Sequence, residues 1–366
     1  MARSSLALAP AAPLGCSGCA FRSTCGGLEG QQSMFGCFSS CWSCGVAEGK
    51  CDYTCPRKPG FWRDWAEVGG LTPRPRRPLP ALGLDLPWYV PMVRHGYSRC
   101  EALPLDVVAL GTFDVLDTIC QPRVEHAEQL RDRFLVAPHA QVLLVSVNPD
   151  RQVESFWAHR TPDRLASLAQ LGVAAMTTPN FSFFDDAPRL HSVRNFWRTL
   201  RAAEDLADAG IAPVLHVNAL CRADWKRWAN VLRDNPGVCH VCKEFQTGLT
   251  DTQRAADAIE GLRWLQDEVG RPIHPLIVGG RRVAHLVARH FSALTVVDSV
   301  PFLAAVKRRR IVSNGTGTAQ LVNPTSPGEL LDELLQHNIR TYSGLVARCA
   351  GSELVGDLEG LDDDER

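Results

Sequence analysis

Eight of the fourteen cysteines in the chain lie within its first 55 residues, a density typical of metal ligands or disulfide partners. These cysteines are Cys16, Cys19, Cys25, Cys37, Cys41, Cys44, Cys51 and Cys55. The remaining sequence has the composition of an intracellular enzyme, which disfavours a disulfide scaffold. Two Cys-x₂-Cys pairs fit zinc, whereas the longer spacings and Gly26-Gly27 fit the larger core of an iron–sulfur cluster. The pattern therefore predicts a module that binds zinc or iron–sulfur, either as a structural staple or as a reactive centre.

Polar residues and glycines follow the apolar runs in the middle of the chain. They are Asp114, Asn148–Asp150, Pro179-Asn180, Asn218, Gln246, Gly279-Gly280 and Asp298-Ser299. Carboxylates and amides at such positions can move protons and bind the polar edges of a ligand. His216 and Asn218 share one face of a predicted strand, which allows either a place in a site or core packing.

The apolar runs themselves predict short strands separated by helices. The strands are Val107–Leu110, Val142–Val147, Ala174–Met176, Pro213–Val217, Val238–Lys243, His274–Val278 and Ala293–Val297. The helices are Thr161–Leu171, Leu190–Ala209, Trp225–Arg233, Thr252–Val269 and Arg282–His290. Such alternation implies parallel strands, in a doubly wound sheet or a (β/α)₈ barrel. The barrel is favoured, because polar residues follow the strands and no G-x-G-x-x-G follows the first one.

Composition divides the chain of 366 residues into four parts. We expect a Cys-rich module over 1–60, a Pro- and Arg-rich linker and barrel entry over 61–100, a β/α barrel over 101–350 and an acidic tail over 351–366. The net charge of −1 indicates no particular partner, although clusters of arginine allow one that carries phosphate. No run of apolar residues is long enough for a transmembrane helix, so a cytoplasmic protein is expected. The oligomeric state stays open.

Three segments near the end of the predicted barrel carry a family resemblance. Leu276–Gly280 is followed by Val296–Ser299 and then by Arg308–Arg310. This order resembles tRNA-guanine transglycosylases and their relatives that insert deazaguanine bases into DNA, over about residues 88–320. The early Asp-Ser-Gly-Gly signature of those enzymes is replaced here by Gly111–Asp114. Thr177–Arg189 also resembles an uncharacterised family of bacterial and phage proteins with a Pro-(Asp/Asn)-Phe-Ser pattern.

The resemblance implies exchange of guanine for a 7-deazaguanine-type base in DNA or tRNA through a covalent glycosyl–enzyme intermediate. It implies that Asp298 is the nucleophile and that Asp114 lies near the leaving base. Residues implied to bind the purine-like base are Asn180, Phe181 or Phe183, Asp185, Asp186, Gln246, Gly279 and Gly280. Residues implied to hold phosphates are Arg308, Arg309 and Arg310, with Arg74–Arg77.

Other interpretations stay open from the sequence alone. The spacing Cys37-x₃-Cys41-x₂-Cys44 matches that of a radical-SAM cluster, which allows a radical enzyme. A barrel without catalysis that binds nucleic acid or takes part in an assembly is the third possibility. Asp298 could instead cap the next helix, and the phenylalanines could belong to the core.

Overall fold

The computed structural model describes residues 19–27, 53–56, 58, 60–184, 187–246, 249, 251–313, 319–322 and 328–351. Its centre is a closed barrel of parallel strands in the order β1 to β8. The strands are β1 (Tyr89–Val93), β2 (Val107–Gly111), β3 (Gln141–Val145), β4 (Val173–Thr177), β5 (Ala212–His216), β6 (His240–Glu244), β7 (His274–Val278) and β8 (Thr295–Asp298). The predicted (β/α)₈ barrel is confirmed.

Two helices precede the first strand, and the others follow the strands and cover the outside of the barrel. They are α1 (Arg22–Cys25), α2 (Phe61–Ala66), α3 (Thr112–Val115), α4 (Ala127–Phe134), α5 (Asp150–His159), α6 (Pro162–Ala169), α7 (Arg189–Asp208), α8 (Arg222–Asp234), α9 (Thr252–Val269), α10 (Ala284–Ala288), α11 (Val300–Val306) and α12 (Leu331–Gly351). An antiparallel pair, β9 (Arg310–Ser313) and β10 (Ala319–Val322), follows α11. The Asn338 side chain of α12 joins this pair to the barrel, because its Oδ1 accepts the Ile311 N–H at 2.8 Å.

The strands are apolar on both faces, because helices cover one face and the barrel interior the other. Alternate residues point inward and form a closed apolar core. This interior contains Val90, Met92, Val107, Ala109, Leu143, Val145, Ala175, Val214, Cys242, Leu276, Val278 and Val297. The residues between them face the helices and belong to a second, larger core. A residue at the carboxyl end of a strand therefore reaches the barrel mouth only if it occupies an inward position of that strand.

The strand that closes the barrel lies inside the segment predicted as a linker and barrel entry. β1 pairs with β8, with Val90 opposite Val297, so the barrel begins at Tyr89 rather than at residue 101. Pro91 stands in the middle of this strand, opposite Asp298. Proline lacks the amide hydrogen that a sheet needs and argues against a strand in sequence analysis, which explains why this strand was missed.

The rest of the predicted linker packs against α7 instead of extending freely. Arg194 of α7 donates to the Asp64 carbonyl oxygen at 2.8 Å and pairs with Glu67 at 2.6 Å. Arg76 pairs with Glu204 of α7 at 2.7 Å. Polar contacts with α7 thus hold residues 61–80, and the interpretation of this segment as an open linker is wrong.

Candidate active site

The mouth of the barrel lies at the carboxyl ends of the strands, where β/α barrels carry their chemistry. Glu244 is the last residue of β6, and it lies two residues beyond Cys242, which is in the barrel interior. Glu244 is also opposite Val278, another interior residue. Its side chain therefore points into the mouth, where the residue is 7% exposed. The Glu244 Oε1 atom accepts the N–H of Gln246 at 2.5 Å.

His216 is the neighbour of Glu244 on β5. It lies two residues beyond the interior Val214 and faces the same mouth. Its Nε2 atom accepts the backbone N–H of Glu244 at 3.1 Å, so the ring proton resides on Nδ1. Burial, together with the charge of Lys243, lowers the pKa of His216 well below its usual range, which keeps the ring neutral. The Nδ1 atom is buried and has no hydrogen-bond partner among the described residues.

Lys243 precedes Glu244 on β6, and the alternation that turns Cys242 and Glu244 inward turns its side chain outward, towards the helices. The Lys243 Nζ atom donates to Asn218 Oδ1 at 2.7 Å, and Asn218 Nδ2 donates to the Phe181 carbonyl at 2.9 Å. Burial lowers the pKa of Lys243 to about 8. The two adjacent strands thus bring a carboxylate and a neutral imidazole to the mouth, whereas the amine of Lys243 lies on the other face of β6.

Asp114 stands across the mouth from this group. It belongs to α3, directly after β2, and β2 and β6 are four strands apart in either direction around the ring. Its Oδ2 atom lies 3.3 Å from the Arg94 guanidinium, and its side chain is 27% exposed. Burial raises the pKa of Asp114 despite the opposing charge of Arg94. Its predicted place at the mouth agrees with the structure.

Asp298 does not face the mouth. Its neighbour Val297 points into the barrel, so the alternation of β8 directs Asp298 outward against α12. The Tyr342 hydroxyl donates to Asp298 Oδ2 at 2.7 Å, and the Val300 N–H donates to Oδ1 at 3.1 Å. Asp298 is only 2% exposed, and burial raises its pKa. The expected position of Asp298 as a nucleophile open to a purine-sized hollow is therefore wrong.

The residues predicted to bind the base are scattered. The glycines make room for protein side chains, because a Cβ at Gly279 would lie 2.0 Å from Gln246 Cγ and one at Gly280 would lie 1.9 Å from Ile277 Cγ2. Gln246 therefore packs on Gly279, where the backbone was expected to approach a ligand. Asn180 uses its Oδ1 atom to accept the Asn148 N–H at 3.0 Å. Asp185 and Asp186 lie outside the described residues.

Phe181 belongs to the core rather than to a stacking platform. It is 1% exposed, its ring centroid is 5.7 Å from that of Trp157, and the Arg198 guanidinium carbon lies 4.1 Å from the same ring. Phe183 packs against the large core as a partly buried side chain. The alternative of core packing is thus the one that applies to Phe181.

The arginines predicted to hold phosphates are engaged with protein groups. Arg308 donates to the Glu329 carbonyl oxygen at 2.8 Å, and Arg310 forms an ion pair with the Glu329 carboxylate. Arg309 lies between them, directly before β9. Arg77 is paired with Asp208 at 2.5 Å in the same manner. Phosphate binding by these clusters stays a prediction. It would require the arginines to leave their contacts with Glu329 and Asp208 and to bind phosphate instead.

Three of the eight predicted cysteine ligands are described, namely Cys19, Cys25 and Cys55. The other five, Cys16, Cys37, Cys41, Cys44 and Cys51, lie outside the described residues. Cys25 is buried at the end of α1, and its Sγ atom accepts the Gly27 N–H at 3.2 Å. Metal binding by these cysteines stays a prediction. Within the described residues, no three potential ligands are grouped around one point.

Sequence reasoning missed Glu244 as a site residue. The run Cys239–Glu244 does not alternate between apolar and polar residues, so the sequence does not indicate which of its side chains point into the barrel. His216 was correctly placed on a face shared with Asn218, and the structure directs that face to the mouth. Within the part of the chain that is described, no helix combines the length and apolarity needed to cross a membrane.

No protein-family model matches the chain, and no curated protein matches it significantly. Among solved structures, a protein from Coccidioides immitis assigned as a fructose-1,6-biphosphate aldolase has a TM-score of 0.38 and 11% identity. The alignment covers 72% of this chain and 88% of that chain. Similarity at this level implies nothing about substrate or reaction.

Proposed function

We propose that the barrel is a base-exchange transglycosylase acting on DNA or tRNA, with Glu244 rather than Asp298 as its nucleophile. The observation that carries the proposal is the inward position of Glu244 at the carboxyl end of β6, beside the neutral His216. A carboxylate in this place can form and release a glycosyl ester. The substrate class is taken from the sequence resemblance of Leu276–Gly280, Val296–Ser299 and Arg308–Arg310 to guanine transglycosylases, although Asp298 itself lies outside the mouth.

Glu244 and Asp114 have different roles in the proposed reaction. The Glu244 carboxylate attacks C1′ of the nucleotide as the bond between C1′ and the purine N9 breaks. Asp114, whose pKa is raised by burial, acts as the acid that gives a proton to the departing base. The incoming base then attacks C1′, its N9 proton passes to Asp114, and the C1′–O bond to Glu244 breaks. Each cycle regenerates both groups, as an exchange reaction requires.

The buried His216 positions the nucleophile. Its Nε2 atom accepts the Glu244 backbone N–H, and its Nδ1–H is buried without a partner among the described residues. A buried donor without a partner costs free energy unless a ligand or water satisfies it. His216 is therefore expected to orient Glu244 and to add one hydrogen bond to a ligand seated in the mouth.

The test is incorporation of radiolabelled guanine, and of a 7-deazaguanine base, into tRNA and duplex DNA. The Glu244→Gln variant keeps a carbonyl oxygen for the Gln246 N–H but cannot attack C1′. Its exchange rate is expected to fall by at least about 10³-fold. The matched control is Asp298→Asn, which changes a carboxylate outside the mouth. Its rate of base exchange should be similar to that of the wild type. Exchange that survives in Glu244→Gln and is lost in Asp298→Asn contradicts the assignment of Glu244.

We also propose that the N-terminal cysteines bind a metal ion or cluster as a structural staple. Residues around Cys25 pack on the barrel helices, since the Arg227 guanidinium donates to the Thr24 carbonyl oxygen at 3.0 Å. Elemental analysis with a visible absorption spectrum tests this. Zinc alone removes the radical-SAM alternative, whereas absorption near 400 nm with matching iron and sulfide supports a cluster. A protein free of both metals, and equally stable in chelator, contradicts the proposal.

A further inference from the structure

Arg94 lies at the mouth of the barrel, directly after β1. Met92 of this strand points into the barrel interior, and Arg94 continues the same alternation. Because Met92 is opposite Ala109 of β2, the register places Arg94 opposite Gly111. A Cβ at Gly111, which occupies an inward position, would lie 3.4 Å from Arg94 Nη1. The guanidinium of Arg94 therefore lies over the mouth, in space that the missing side chain of Gly111 leaves open.

Among the inward positions at the carboxyl ends of the eight described strands, Arg94 is the only permanent cation. The corresponding positions of β4, β5 and β6 carry Thr177, His216 and Glu244, and those of β3, β7 and β8 are valines. Burial keeps the His216 ring neutral, whereas arginine stays protonated in proteins. A ligand in the mouth therefore meets a fixed positive charge beside β1 and a carboxylate on β6.

The guanidinium of Arg94 makes little contact with the protein. Its Nη1 atom lies 3.3 Å from Asp114 Oδ2, and it has no other hydrogen-bond partner within the described ranges of the chain. Its side chain is 46% exposed, whereas the side chains of Arg99 and Arg189, which form buried ion pairs, are at most 1% exposed. A guanidinium has five N–H donors in a fork that matches the oxygens of a phosphate group. Most of these donors are unused at Arg94.

The proposed role of Asp114 leaves Arg94 without a counter-charge. Asp114 must carry a proton before it can give one to the departing base, and a neutral carboxyl group no longer balances the arginine. Arg123 adds a further positive charge near this carboxyl group. An anionic group of the ligand would supply the missing negative charge through charge-assisted hydrogen bonds.

We propose that Arg94 is the anion-binding residue of the mouth and that it holds a phosphate group of the nucleotide whose base is exchanged. This choice of anion rests on the proposed function. The base and the phosphate of a nucleotide are attached to the same sugar, so a base that leaves towards Asp114 brings its phosphate to the adjacent arginine. Arg94 thus binds and orients the nucleotide, and it neither forms nor breaks a covalent bond.

The experiment compares ligands that differ by one phosphate group. Isothermal titration calorimetry on the full chain measures the binding of deoxyguanosine monophosphate, of deoxyguanosine and of inorganic pyrophosphate, which carries no base. We expect Arg94→Gln to weaken the binding of the monophosphate and of pyrophosphate by about tenfold or more, because a charge-assisted contact is lost. Its affinity for deoxyguanosine should remain that of the wild type, which shows that the mouth is still folded.

Arg233→Gln is the matched control. The Arg233 side chain is 42% exposed and pairs with Glu268, at the end of α8 that lies away from the mouth. Its affinities for the three ligands should equal those of the wild type. Asp114→Asn tests the competition for Arg94, because it removes the carboxylate that a phosphate must displace. It should strengthen the binding of pyrophosphate by about threefold or more.

The dependence of binding on salt provides a second measurement. For a single-stranded oligonucleotide, the slope of the logarithm of affinity against the logarithm of salt concentration should become shallower by about 0.7 in Arg94→Gln, since one phosphate contact is lost. An unchanged slope contradicts a contact between Arg94 and the phosphate backbone.

An affinity for pyrophosphate that Arg94→Gln leaves unchanged overturns the proposal, and so does a wild type that binds no pyrophosphate. Pyrophosphate binding that depends on Arg94, in a chain without base exchange, supports the anion site and rejects its assignment to a nucleotide. Glu244→Gln should lose base exchange and still bind pyrophosphate through Arg94. Failure of one proposal is therefore distinguishable from failure of the other.

Discussion

The contact between Tyr342 and Asp298 allows the structural role of Asp298 to be measured. Tyr342 is fully buried on α12, and its hydroxyl donates to Asp298 Oδ2 at 2.7 Å. Tyr89 packs edge-on against Tyr342, with ring centroids 5.0 Å apart. The Tyr342→Phe substitution removes only the hydroxyl and leaves one oxygen of Asp298 without this donor. The contact therefore links the C-terminal helix to the barrel wall.

The expected loss follows from the burial of both groups. A hydrogen bond to a charged or partly charged group contributes about 1.5–3 kcal/mol, so Tyr342→Phe should lower the free energy of unfolding by about 2 kcal/mol. Asp298→Asn retains an acceptor for Tyr342 and no longer carries a charge. It should change the free energy of unfolding at neutral pH by less than about 1 kcal/mol.

The dependence on pH has a definite sign. Burial raises the pKa of Asp298 above its value in the unfolded chain. The stabilising contribution of its protonated form is therefore fully present below the unfolded pKa and is lost as the pH rises through the folded pKa. The Asp298→Asn variant lacks this titration. Its stability relative to the wild type should improve as the pH increases from about 4 towards neutrality.

Urea unfolding at several pH values, followed by circular dichroism, measures these differences. A double-mutant cycle of Tyr342→Phe and Asp298→Ala, in which each single change removes the hydrogen bond, should give a coupling energy of about 0.5–3 kcal/mol. The absence of coupling, or a Tyr342→Phe variant as stable as the wild type, refutes the inferred hydrogen bond. Loss of base exchange in Asp298→Asn without loss of stability indicates instead that Asp298 is catalytic.

Three further expectations concern the scaffold. Arg189 and Asp224 form a buried ion pair in which each side chain is 1% exposed, so Arg189→Met should cost about 3–5 kcal/mol in urea unfolding. A Cβ at Gly261 of α9 would lie 2.2 Å from Trp225, so Gly261→Ala should destabilise the protein by about 1–3 kcal/mol. The exposed Gln253→Ala on the same helix serves as its control and should have little effect. Burial lowers the pKa of His191 to about 4, and its NMR ring signals should remain those of neutral imidazole down to about pH 5. A His191 titration near pH 6.5, or unchanged stability in either scaffold variant, contradicts the corresponding packing.

The repeated strand–helix pattern was sufficient to predict the barrel, because both faces of its strands are apolar over short runs. The same property concealed the orientation of each strand. A shift of one residue exchanges the interior and exterior faces, and β8 therefore directs Asp298 away from the mouth. In β6, the sequence Cys-Lys-Glu has no alternation from which the inward position of Glu244 could be inferred.

The segment over 61–100 illustrates a different difficulty. Its proline and arginine content is typical of a linker, yet Arg76 pairs with Glu204 and β1 completes the barrel. The acidic partners on α7 are more than a hundred residues away in sequence. Composition alone carries no information about such distant contacts, which only the folded chain brings together.

The most direct test of the central proposal is the identity of the residue that forms a glycosyl bond with nucleic acid. Rapid denaturation of the enzyme during base exchange, without borohydride, should preserve the ester for peptide mass spectrometry. The proposal predicts a nucleotide on the peptide that contains Glu244, lost in Glu244→Gln and present in Asp298→Asn. A nucleotide on the peptide that contains Asp298 contradicts it.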